Sequence, residues 1–310
     1  MKKTITVRAN GIEHEIPNSW ELLTSDQYLK LVELLSLMES GQFSPGAVKC
    51  LFLCYMKGWN LNKIKRDERT LENFMSIASQ LSFIFLEKDD KFVLDLCFCR
   101  QQLPIIFIDK KAYYGYEVNT DFKSLTCSLT ALQYIEARQL LDMGEESLPL
   151  LAAVLYFDKK EYSSEEAQKL ALQFKKLPVN TLRAIALNFT AVNNFLFSKT
   201  EFSLLTKFVP KEGSSITTDA TDALYDLSKD GLGNARQVEQ LNVLTYLRIL
   251  RKKTIEGVKS LKATGMELAK IADEVGLPLE IVRWLARGSE QLSGYFKSWG
   301  ESQEKIRPAG

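Results

Sequence analysis

Hydrophobic and polar residues alternate most clearly at the start of this chain. Residues 4–16 follow a two-residue period interrupted by Asn10-Gly11, a pair suited to a turn that needs positive φ at both positions. They predict a β-hairpin with Ile5, Val7 and Ala9 on one face together with Ile12, His14 and Ile16, and Pro17 ends the pairing. From Thr24 to Glu39 the period lengthens to that of a helix, with Tyr28, Leu31, Val32, Leu34, Leu35 and Met38 on one side. Gly41 and Ser44-Pro45-Gly46 break it. Further helices are expected over 48–55, ending near Gly58, and over 70–85. An Asp89-Asp90-Lys91 turn then leads into a β-like run over 92–99, and 104–116 reads as short strand or irregular chain. Helical periodicity returns over 130–141, 148–157, 164–174, 182–197 with a possible extension over 201–208, 223–229 and 238–260. The fold class is therefore mainly α: helical lobes with a short N-terminal β-hairpin and a minor β-like connector.

One helix-start signal occurs twice. Leu23-Thr24-Ser25-Asp26-Gln27-Tyr28 and Leu129-Thr130-Ala131-Leu132-Gln133-Tyr134 both place a capping Thr three residues before a Gln, between a Leu and a Tyr. Each is a capping box with a hydrophobic staple. The recurrence fits either a structural repeat or two independent helix starts. The polar stretch 211–222 reads as a linker. It divides the chain into a hairpin plus helical lobe (1–120), a second helical lobe (121–210), and a C-terminal helical region (223–310) whose last residues, 300–310, are expected to fray.

Composition excludes several classes. With 310 residues, 45% hydrophobic and 25% charged, the chain can bury a substantial core. Its net charge of +1 provides no global attraction to nucleic acid or anionic membrane. No apolar run approaches the roughly 20 residues of a membrane span. Five cysteines argue against a disulfide framework, and the basic Met1-Lys2-Lys3-Thr4 is followed by no apolar leader. A cytoplasmic protein is expected.

Catalytic signals are sparse. His14 is the only histidine, which removes His-based triads and multi-His metal sites. Cys50 and Cys54 are one helical turn apart, and Cys97 and Cys99 are spaced for one side of a strand. Neither pair has zinc-knuckle spacing, so core packing is the expected role. Glu145-Glu146, Glu165-Glu166 and Asp273-Glu274 are adjacent, and neighbouring residues on a helix do not face each other. Phosphate-loop, dinucleotide-loop, nucleophile-elbow and zinc-protease motifs are missing from the sequence. No cofactor, metal or enzymatic activity is expected.

One motif carries a mechanism. Residues 267–285 resemble a helix-turn-helix: Ala272 where the helices would cross, Gly276 in the turn, and Ile271, Val275, Leu277, Val282 and Leu285 as the core. Pro278 would open the second helix at its first position. Leu279, Glu280, Arg283, Trp284 and Arg287 would then face outward. Arg283, Trp284 and Arg287 are the candidate contacts to nucleic acid or to a protein partner. Residues 251–310 hold eleven Lys and Arg against eight Asp and Glu, a mild basic excess.

Several stretches taken in order resemble a group of proteins encoded in tailed phages and prophages of Bacteroidetes-type bacteria. They are Ile16-Pro17-Asn18-Ser19-Trp20-Glu21-Leu22-Leu23-Thr24, Gln102-Leu103-Pro104, Tyr113-Tyr114-Gly115, Leu129-Thr130 with Tyr134-Ile135-Glu136-Ala137, 150–156, 174–178 and 223–231. The resemblance covers about residues 12–250 and leaves out the helix-turn-helix-like tail. It implies a non-catalytic, chaperone-like or structural protein of tail assembly. Its partner would be another phage protein, for instance the helical tape-measure protein. The runner-up from the residues themselves is a DNA-binding regulator using 267–287.

Overall fold

The computed structural model describes residues 3–9, 12–60, 68–89, 91–120, 124–206, 224, 227–228, 231 and 233–287. They form a mainly α fold with small two-stranded sheets, the first being the N-terminal hairpin. Strand β1 (Thr4–Ala9) pairs antiparallel with β2 (Ile12–Pro17), Ile5 opposite Ile16 and Val7 opposite His14. That is the register the alternation requires, since a slip by one residue would turn the apolar set outward. The Asn10-Gly11 turn lies outside the described residues. Val7 and Ile16 are buried, and His14 meets the Trp59 ring edge-on at 5.7 Å, a packing role.

Helices α1 (Ser25–Glu39), α2 (Pro45–Lys57) and α3 (Glu68–Ser79) follow, α1 packing on α2 and α2 on α3. At the start of α1, Thr24 Oγ1 accepts from Gln27 N at 3.2 Å and Gln27 Oε1 accepts from Thr24 N at 3.0 Å. The helix expected over 70–85 stops at Ser79. Leu81, Phe83, Ile84 and Phe85 are instead buried in non-helical chain that bends at 83–84 before β3, and Ser82 N donates to Asn18 Oδ1 at 3.0 Å. A short continuous apolar run has no period to separate the two conformations.

The connector holds two antiparallel hairpins: β3 (Phe85–Lys88) with β4 (Lys91–Leu94), and β5 (Ile105–Ile108) with β6 (Lys111–Tyr114). Of the β-like run over 92–99 only the part to Leu94 is strand; from Asp95 to Leu103 the chain belongs to no strand. Buried backbone must be paired, and here side chains pair it. Trp20 Nε1 donates to Asp95 O at 2.6 Å, and Gln102 Nε2 donates to Trp20 O at 2.6 Å. Asn188 works in both directions: its Oδ1 accepts from Gln102 N at 2.8 Å and its Nδ2 donates to Arg100 O at 2.7 Å.

Helices α4 (Ala131–Asp142), α5 (Leu148–Leu155), α6 (Ser164–Phe174) and α7 (Val179–Lys199) come next. Thr130 and Gln133 repeat the capping box of α1 with the same two distances, 3.2 and 3.0 Å. The expected linker 211–222 lies outside the described residues, and positions 224, 227 and 228 are helical. Then come α8 (Ala235–Glu239), α9 (Val243–Ala263), α10 (Leu268–Val275) and α11 (Leu279–Ala286). The single helix expected over 238–260 is broken at 240–242. Asn242 caps α9, its Oδ1 accepting from Leu244 N at 3.0 Å, while its Nδ2 donates to Cys127 O at 2.6 Å. Ala131 N donates to Leu241 O and Val243 N to Leu129 O, so local backbone groups are used by a distant segment.

Grouped by contact, the chain forms two compact units, neither a single run of sequence: 1–125 with 139–192, and 126–138 with 193–310. In the first, Trp20 stacks on Phe98 at 5.3 Å and meets Phe83 edge-on at 5.3 Å. Tyr28 donates to Ala184 O at 2.8 Å. In the second, Tyr134 and Arg138 both donate to Asn193 Oδ1, at 2.5 and 2.8 Å.

Candidate functional site

In the second unit, α9, α10 and α11 pack against one another around a shared apolar core. Val258, Ile271, Ala272, Leu277, Ile281, Val282 and Leu285 are buried in it, together with Leu204. Two eight-residue helices are joined by Gly276-Leu277-Pro278. Gly276 has φ +68°, the left-handed conformation that lets Leu277 N close onto Ala272 O at 3.1 Å. The small Ala272 is 7% exposed, as the crossing requires. Pro278 stands at the cap, with ψ 140°, rather than at the first helical position. The pair thus has the helix lengths, the turn and the shared core of a helix-turn-helix.

The candidate contacts separate on this frame. Arg283 and Arg287 are exposed, one turn apart, on the side of α11 opposite Ile281, Val282 and Leu285. Glu280 shares that side. Trp284, expected to face outward, is half-buried and packs against the core, because its position on the helix lies toward Ile281. Leu279 packs there too. Of the six cations of α9, Arg248 and Arg251 pair with Glu201, Lys252 with Glu256, and Lys262 donates to Ala286 O, while Lys253 and Lys259 are engaged as well. Among the described residues, Lys270, Arg283 and Arg287 carry no such partner.

In the first unit the second connector hairpin shows a different surface. Every residue of β5 is apolar, so a two-stranded sheet buries half and exposes half. Ile106, Ile108 and Tyr113 face inward. Ile105, Phe107 and Tyr114 face outward at 44%, 68% and 56% exposure. Ile105 and Tyr114 are directly opposite in the register, so the three make one apolar face. The tip residues Asp109 and Lys110 have φ +49° and +67°, the turn type such hairpins need; Asp tolerates that conformation, whereas Lys resists it. Leu86 and Val93 form a second exposed apolar pair across β3 and β4. These residues were legible only as apolar in sequence; the signal that would have exposed them is a strand with no polar alternate position.

Beside the same hairpin a cleft of about 500 Å³ lies between Ile108, Asp109 and Tyr113 and the α6 residues Glu166 and Leu170, with Phe157 at its side. Most of its charges are engaged. Lys159 pairs with Glu166 at 2.8 Å, Lys176 with Asp109, and Lys111 Nζ lies 4.8 Å from the Tyr113 ring centre. Glu165 pairs with Lys169, and Glu145 with Arg183, so these carboxylates belong to surface ion pairs. Burial pushes the Cys54 thiol up to about 11, helped by neighbouring Cys50, and pushes Cys127 up to about 11. Thiols held in that direction are poor nucleophiles and metal ligands at neutral pH. Among the described residues no three His, Cys, Asp or Glu are grouped to hold a metal ion, and no helix is long and apolar enough to cross a membrane.

The residues that carry the phage-protein resemblance fall mainly in cores. Trp20, Gln102, Leu103, Tyr113, Tyr156 and Phe174 are all buried in the first unit, and Tyr156 donates to Leu103 O. Gly115 is confined there: a Cβ would meet Gln101 Nε2 at 2.9 Å and the Tyr156 ring at 3.1 Å. Leu22, Pro104 and Tyr114 are exposed. Comparison with family models, curated proteins and solved structures gives no match.

Proposed function

We propose that this chain is a non-catalytic binding protein that engages another protein through the outward face of the β5–β6 hairpin. The observation that carries the reading is the face made by Ile105, Phe107 and Tyr114, apolar residues in solvent on a structured hairpin. Apolar surface of this kind is stabilised by being covered, at roughly 25 cal/mol per Å², and contiguous exposed patches mark interaction sites. The free edges of a two-stranded sheet add backbone donors and acceptors that an extended partner segment could pair. The resemblance to phage tail-assembly proteins supplies the partner class: a tail protein, with the tape-measure protein the first to test.

Co-expression of the full chain with phage tail proteins, a tape-measure protein first, tests the reading. Wild type should co-purify with one of them, and Phe107→Ser with Tyr114→Ser should weaken the complex at least tenfold while the thermal midpoint changes little. A complex that the double variant leaves intact, or no complex with any of them, would sink it.

A further inference from the structure

We infer that the three-helix body α9–α11 binds duplex DNA, with the solvent face of α11 in the major groove. The inference uses other residues, in the other unit, than the hairpin reading, so either can fail alone.

Three observations converge. The order of elements is that of a helix-turn-helix: a supporting helix, an eight-residue α10, a three-residue turn closed by Gly276 at φ +68°, and an eight-residue α11. In such folds the second helix of the pair lies in the major groove. The side of α11 away from Ile281, Val282 and Leu285 holds Glu280, Arg283 and Arg287, and it is exposed. Lastly, the charge is distributed unevenly. Residues 243–287 contain nine Lys and Arg against five Asp and Glu. On α9, Arg248, Arg251 and Lys252 are held in ion pairs, Lys262 at a helix end, and Lys253 and Lys259 are engaged as well, whereas Lys270, Arg283 and Arg287 are without such partners among the described residues. The available cations therefore gather on the helix-turn-helix pair.

The chemistry of that face predicts its behaviour. Arginine is suited to guanine edges and to phosphate. Glu280 accepts from a cytosine amino group and repels phosphate, which lowers sequence-independent binding. With about three cations reaching phosphate, log K should fall against log salt with a slope of about −2.7. That is a loss of about 40-fold between 50 and 200 mM salt.

The test is fluorescence anisotropy of the full chain with a labelled mixed-sequence duplex of about 30 base pairs, the salt steps being those that resolve the slope. Wild type should bind at 50 mM salt with a slope of about −2 to −3. Arg283→Ala with Arg287→Ala should weaken binding at least tenfold and flatten the slope by about 2, the thermal midpoint being unchanged. Glu280→Gln should tighten binding several-fold, a gain that misfolding cannot mimic. Lys252→Ala, on α9, should change it less than twofold. No binding at 50 mM salt overturns the inference. So does binding that neither the arginine pair nor Glu280→Gln alters, or a protein partner lost with the same arginines while duplex is never bound.

Discussion

Strain and confinement at single residues are concentrated around the second connector hairpin. Lys110 holds φ +67° without being glycine, and the left-handed region costs an ordinary L-residue about 1 kcal/mol. Lys110→Gly should therefore raise stability by about 0.5–1 kcal/mol, read as a higher midpoint in urea with an unchanged slope. Gly115 is the opposite case. Its missing side chain leaves room for Gln101 and the Tyr156 ring, so Gly115→Ala should cost about 1–3 kcal/mol by overpacking. An unchanged urea midpoint would show that those neighbours move aside freely. The sequence marked Tyr113-Tyr114-Gly115 only through resemblance. The reason for the glycine, a ring arriving from α5's end, is a tertiary contact.

Among elements, helix starts are the best-specified features. Thr24 with Gln27 and Thr130 with Gln133 form the same two hydrogen bonds, because capping depends on residues three apart and little else. Thr24→Ala and Thr130→Ala should each cost about 1 kcal/mol, independently, in urea denaturation. A third box, Asn234 with Gln237, opens α8 and follows the same rule. Asn242 differs: it caps α9 and also holds Cys127 O. Asn242→Ala should cost about 2–3 kcal/mol, losing a cap and a partly buried bond, whereas Asn242→Ser keeps a capping oxygen and should cost less. Equal losses for the two would show that the cap contributes nothing, and no loss in the second that the bond to Cys127 O contributes nothing. The break that this residue makes in the helical run over 238–260 was illegible because its second partner is 115 positions away.

At the scale of the molecule, buried protonated groups set the response to alkali. Burial raises the thiols of Cys54 and Cys127 from 9.0 to about 11 and Tyr246 from 10.0 to about 12; Tyr28, Tyr134 and Tyr156 are raised in the same direction, again chiefly by burial. In each case the folded state keeps a proton that the unfolded state releases first. The contribution to stability is complete below the unfolded value and is lost as pH rises through the folded one. The thermal midpoint should therefore fall steadily from about pH 9 to about pH 12. A flat midpoint across that window would contradict the burial of these groups. The same burial predicts slow alkylation of Cys54 and Cys127 at pH 8, accelerating about tenfold per pH unit as thiolate forms.

What the sequence by itself determined is the class of the fold, the register of the first hairpin, the capped starts of α1 and α4, and the helix-turn-helix core. Each rests on interactions between residues a few positions apart, where period and side-chain type are sufficient. Only the tertiary structure decided where α3 stops, why the chain after Asp95 needs no strand partner, that Trp284 turns inward, and that Phe107 and Tyr114 are left in solvent. Those outcomes depend on which distant groups arrive to bury an apolar side chain or pair a backbone amide, and residue order along the chain does not carry that information.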